Sequence, residues 1–115
     1  MLANRNKGTR LFTKDTSKFS EFKKYTELEL NKPYKVYGFY LNTKSQFGEH
    51  YTAIGEEFYI NLPKSMNETI EDIINDCKTD EELLNSINSG NESIIVKMVF
   101  SKKMNKEIHV VDFAE

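Results

Sequence analysis

Hydrophobic and polar positions along this chain organise into five strand-like runs, and between the third and fourth run the apolar spacing changes to that of a helix. Residues 34–43 (YKVYGFYLNT) follow Pro33 and are rich in aromatic and β-branched side chains, which predicts a strand. Apolar side chains fall in both alternating sets, Tyr34, Val36, Gly38 and Tyr40 in one and Tyr37, Phe39 and Leu41 with Lys35 in the other. Neither face is purely polar, and Gly38 inside the run predicts a bend or bulge. Residues 44–48 read as a turn or loop, followed by a second strand near 50–54 and a third over 57–62, with Gly55 and Glu56 between them.

Pro63 ends the third run. Ser65 and Glu68 have the spacing of a capping box, and Ile70, Ile73, Ile74 and Cys77 follow at helical intervals, predicting a helix from about Met66. A second box, Thr79 with Glu82, precedes Leu83, Leu84 and Ile87, and Gly90 is placed to end that helix in a left-handed conformation. Residues 93–101 (SIIVKMVFS) then predict a fourth strand, residues 102–106 a turn, and residues 107–113 (EIHVVDF) a fifth. The expected fold class is mainly β with a helical insert (α+β): a five-stranded OB-like barrel with two short helices between strands 3 and 4.

The amino-terminal part is basic, through Arg5, Lys7, Arg10, Lys14, Lys18, Lys23 and Lys24, with spaced aromatics at Phe12, Phe19, Phe22 and Tyr25 but no sustained period. Residues 1–25 are therefore expected to form a partly ordered extension, an arm before Leu11 and then a short helix or a segment laid over the core. Residues 26–115 form the barrel domain. A length of 115 residues fits one such domain, and 38% hydrophobic residues suffice to close its core. No apolar run reaches the roughly 20 residues of a spanning helix, and no secretory leader is visible, so a cytoplasmic protein is expected.

The net charge of −2 conceals a strong asymmetry. Lys and Arg outnumber Asp and Glu by ten to seven up to Leu62 and by four to three after Glu92, whereas residues 63–92 carry two lysines against eight carboxylates. Helix capping and helix amino-terminal charge account for much of that acidic cluster without a metal ion. Cys77 stands alone and lies on the apolar face of its helix, so neither a disulfide nor a cysteine-based zinc site is expected. His50 and His109 fall in strands without a nucleophile beside them, and no phosphate loop, dinucleotide fingerprint or zinc-protease helix is present. A non-catalytic protein without cofactor is the expectation.

Aromatic and basic residues interleaved on the strands and turns carry the remaining signal. Single-strand binders use this mixture, because bases stack on Tyr or Phe while lysines neutralise phosphates. The expected contacts are Tyr37, Phe39, Phe47 and Tyr51 for stacking and Lys35, Lys44, Lys102 and Lys103 for phosphates. The competing reading for each aromatic is burial in the barrel core. Phe47 and Lys44 stand out because a turn gives a large apolar side chain less structural justification.

Through residues 38–48 (GFYLNTKSQFG), 59–63 (YINLP) and 87–90 (INSG), the chain resembles small proteins of tailed phages of Gram-positive bacteria, of the OB-fold single-stranded DNA-binding type. The likeness spans roughly residues 25–113. It implies a non-catalytic protein that handles single-stranded DNA in phage replication or recombination within the host cytoplasm. Such proteins often end in an acidic tail that recruits partners; here the sequence stops at Glu115, just after the last predicted strand, and a tail-mediated role is not expected. The alternative is a protein-interaction module, such as a phage inhibitor of a host protein, acting through the acidic helical face. An unpaired strand edge would also permit a homodimer.

Overall fold

The computed structural model describes residues 11–43 and 48–114. The arm before Leu11 and the loop carrying Lys44 and Phe47 lie outside the described residues. Among the described residues seven strands and two α-helices follow one another: β1 (Phe22–Lys24), β2 (Tyr34–Val36), β3 (Gly38–Asn42), β4 (His50–Ile54), β5 (Tyr59–Asn61), α1 (Asn67–Cys77), α2 (Glu81–Asn88), β6 (Glu92–Ser101) and β7 (Lys106–Ala114). Short 3-10 turns stand at Tyr25–Glu27 and Lys64–Met66. The result is a mixed α/β body, mostly strands, with all seven described strands in two sheets.

The first predicted strand is divided where Gly38 stands. β2 pairs antiparallel with β6, whereas β3 pairs antiparallel with β4, so the chain leaves one sheet and enters the other at Tyr37. The Tyr37 amide is not lost at this corner, since it donates to the Ile54 carbonyl at 2.7 Å. One sheet has the order β1-β5-β4-β3 and the other β2-β6-β7.

Two features depart from the five-stranded expectation. Residues 22–24 form a strand, β1, that pairs parallel with β5 in the register Phe22 to Tyr59 and Lys24 to Asn61. That edge of β5 is thereby occupied, and the ladders among the described residues form two separate sheets and not a closed barrel. The N-terminal segment is also anchored further upstream. Phe12 packs edge-on against Phe39, and the Asn88 side chain donates to the Leu11 carbonyl and accepts from the Thr13 amide.

Val36, Phe39, Ala53, Ile60, Ile94, Val96 and Val111 meet between the sheets, and Met66 and Ile70 close the core from the helical side. Ile60, Ile70 and Ile94 are fully buried, each contributing about 1.5–3 kcal/mol by leaving water. The helices sit where the sequence pattern expects them, but their starts differ. Pro63 begins the 3-10 turn, with the Met66 amide on its carbonyl, so α1 is entered through that turn and Ser65 makes no cap. In α2 the cap is Asp80, which accepts from the Leu83 amide, while Thr79 donates to the Asp76 carbonyl. Gly90, at φ +75°, ends α2 with bonds from its own amide to Ile87 and from Asn91 to Ser86, as a Schellman closure requires.

Candidate nucleic-acid interface

Strand alternation decides which aromatics face solvent, and it does not favour the residues expected from the sequence. Phe39 is 3% exposed and Tyr51 9%. Both point into the core with Ala53 and Ile60, so neither ring can stack on a base. Burial, assisted by Glu71 and Glu49, pushes the Tyr51 hydroxyl above its ordinary pKa. Tyr37 is half-buried, with Lys14 Nζ 4.5 Å from its ring centroid and its ring against Gly90. Lys35 is exposed at the base of the β2-β6-β7 sheet, opposite Ser93, while Lys102 and Lys103 are exposed in the turn beyond Ser101. At the ~3.3 Å rise of a strand residue, Lys35 and those two lysines lie roughly 30 Å apart. The expected contacts therefore do not form one patch, and Lys44 and Phe47 lie outside the described residues.

A different set converges on the outer face of the four-stranded sheet. The register aligns Phe22 with Tyr59 and Ile54 in one row, and Lys24 with Asn61, Thr52 and Tyr40 in the next, with His50 beside Asn42 beyond them. Phe22 lies on Tyr59 with ring centroids 4.7 Å apart and planes 24° from parallel. Phe19 and Tyr40 meet the same Tyr59 ring edge-on at 5.1 and 5.8 Å. Phe22 is 53% exposed, so the ring that covers Tyr59 keeps its other side open to solvent.

The floor beneath these rings is polar and ordered. Thr52, fully buried, donates through Oγ1 to Asn61 Oδ1 at 3.0 Å. His50 Nε2 faces the same oxygen at 3.3 Å, and its Nδ1 faces the Gly48 carbonyl at 3.3 Å. With its oxygen turned to these neighbours, Asn61 keeps its amide nitrogen as a donor for a ligand. Burial raises the Tyr40 pKa, against the effect of a Thr52 hydrogen bond and with that of Tyr59, so the hydroxyl stays protonated at neutral pH. Phe22, Tyr40, Leu41, Asn42 and Thr43 line a groove of about 400 Å³ on this side.

Phe19, Phe22, Tyr40 and Tyr59 were not legible as a site because the first two depend on a strand pairing between distant segments. Tyr40 and Tyr59 do alternate with core residues, but aromatics in both alternating sets leave the outward set undecided without the sheets. Among the described residues no group of three or more His, Cys, Asp or Glu converges as a metal site, and no helix is long and apolar enough to cross a membrane. No family model, curated protein or solved structure matches the chain.

Proposed function

We propose that this protein binds single-stranded nucleic acid across the outer face of the β1-β5-β4-β3 sheet, without catalysis. The observation that carries the reading is the Phe22–Tyr59 stack, flanked by Phe19 and Tyr40, with one aromatic face open to solvent. A base placed on Phe22 would extend a stack already begun by the protein, a contact worth about 1–3 kcal/mol per base. Lys24, in register with Asn61, and Lys18, next to Phe19, supply positive charge beside the rings for phosphates.

The architecture is consistent with an OB-like arrangement in which β2 and β3 act as one bent strand serving both sheets, β4–β5 and β6–β7 are its hairpins, and β1 fills the seam that a five-stranded barrel would close. With the sequence resemblance, this favours single-stranded DNA as the ligand, in phage replication or recombination in the host cytoplasm.

Titration of a fluorescent oligothymidylate of about thirty nucleotides, beside the matching duplex, tests the reading. Preferential single-strand binding that weakens with salt is expected. Phe22→Ala should lose about 1–3 kcal/mol of affinity with the fold intact, and Lys24→Ala should flatten the logarithmic salt dependence by about 0.7. Absence of binding, or an affinity indifferent to both substitutions, would overturn it.

A further inference from the structure

The β6–β7 ribbon changes character along its length. At its base, β2 covers β6 from Glu92 to Ile94, the segment at Leu30 bridges to Val96, and Ile94 and Val96 are fully buried. Beyond Val96 no further strand pairs with the ribbon among the described residues, and Tyr25 packs edge-on against His109, opposite Met98. Val99 and Phe100, successive residues on opposite faces, are 46% and 57% exposed, and Met104 in the turn is 55% exposed. A hairpin with large apolar side chains open on both faces is unusual on a soluble surface and marks a contact. Four lysines accompany it, at 97, 102, 103 and 106, against the single carboxylate of Glu107.

The opposite end of the same ribbon presents the complementary features. Glu92 and Phe113, at the start of β6 and the end of β7, line an apolar pocket of about 110 Å³ completed by Phe39, Ile73, Leu83 and Ile87. An enclosed apolar cavity of roughly 150 Å³ takes a benzene molecule, and this pocket of about 110 Å³, half open at the surface, admits the leading part of one aromatic ring. Ile73 and Leu83 are preceded by Asp72 and Glu82, both exposed, within the segment that holds eight carboxylates against two lysines. Neither the hairpin lysines nor these carboxylates take part in the ion pairs Lys23–Glu21 and Lys32–Glu29.

We propose that the tip of the β6–β7 hairpin docks into the helix-lined pocket of a second copy of this chain, Phe100 entering the pocket and the lysines meeting its acidic rim. The occupant is another copy and not the same chain, because tip and pocket stand roughly 25 Å apart at the ~3.3 Å rise along one paired ribbon. Where a pair makes this contact once it is heterologous, so one copy keeps a free pocket and the other a free tip and the assembly grows in a line. Such a line would align successive copies along an extended strand, but the contact itself requires no nucleic acid.

Sedimentation velocity over a range of protein concentrations, without nucleic acid and at low and high salt, tests this directly. The weight-average mass should rise above the 13.4 kDa monomer without stopping at the dimer, and fall as salt screens the charges. Phe100→Asp, at an exposed position, should stay monomeric. K102E/K103E and D72K/E82K should each weaken assembly about tenfold or more when alone, and a mixture of the two should assemble again because the opposed charges are restored. Circular dichroism establishes that each variant is folded. A wild-type chain that is monomeric throughout, a dimer that persists in Phe100→Asp, or a mixture that fails to recover would overturn the proposal, whatever the outcome of the oligothymidylate titration.

Discussion

Replacing Gly90 with alanine imposes two separate costs through one methyl group. The first is local: Gly90 sits at φ +75°, a left-handed conformation that an L side chain occupies at a cost of about 1 kcal/mol. The second is tertiary. An added Cβ would stand 2.7 Å from Tyr37 Cε2 and 2.8 Å from its Cζ and hydroxyl, well inside the optimal carbon contact of about 3.5–4.0 Å. The ring must then shift by about 1 Å, which disturbs its packing and its place beneath Lys14, an overpacking cost of about 1–3 kcal/mol. The sum is about 2–4 kcal/mol, or a melting temperature lowered by roughly 10–25 °C for a domain of this size. Urea unfolding followed by circular dichroism measures it. In a Tyr37→Ala background the ring is gone, and the same glycine substitution should cost only the local part of about 1 kcal/mol. The reasoning fails if Gly90→Ala costs less than about 0.5 kcal/mol, or if its cost is unchanged by removing the Tyr37 ring.

Three further outcomes follow from named contacts. Asp80→Ala should destabilise the chain by about 0.5–2 kcal/mol by removing the cap on the Leu83 amide, whereas Ser65→Ala, at a residue that makes no cap, should be neutral in the same urea experiment. Tyr40 and Tyr51 both have pKa values raised above 10.0 by burial, so the folded chain holds their protons longer than the unfolded chain does. The stability this confers is whole below about pH 10 and falls as pH rises through the folded values; urea midpoints should decline there, and less steeply in Tyr40→Phe. Cys77 is buried, and that burial, with Asp76 and Asp80, raises its pKa. Iodoacetamide should label it slowly in the native protein and rapidly in urea, and equal rates would contradict its position.

The site is instructive about which features local pattern can reach. The core strands β4 and β6, both helices and the Gly90 closure follow from period, turn residues and capping chemistry that act within a few residues of one another. Ser65 shows the limit even there: its box spacing is correct, yet Pro63 directs the chain into a 3-10 turn that takes the helix start away from it. The stacking residues went astray for a different reason. In residues 34–43 both alternating sets contain aromatics, and a strand pattern assigns an inside only when one set is polar. Phe39 and Tyr51 thus read as candidate platforms although they are core, whereas Tyr40 and Tyr59, in ring contact with one another, lie in the opposite alternating set.

Local pattern and composition establish the order of the main elements, the two helices between the third and fourth strand runs, the bend at Gly38 and the separation of a basic N-terminal half from an acidic helical segment. Each is a property of neighbouring residues or of composition, and neither changes with how the elements later meet. Contacts between distant segments alone set the pairing of residues 22–24 with β5, the edge this leaves occupied, the face of the four-stranded sheet that turns outward, and the positions of the lysine-bearing hairpin tip and of the pocket lined by Glu92 and Phe113 at opposite ends of one ribbon. Those outcomes depend on contacts between segments far apart in the chain, where burial of shared apolar surface, and not local preference, selects the partner.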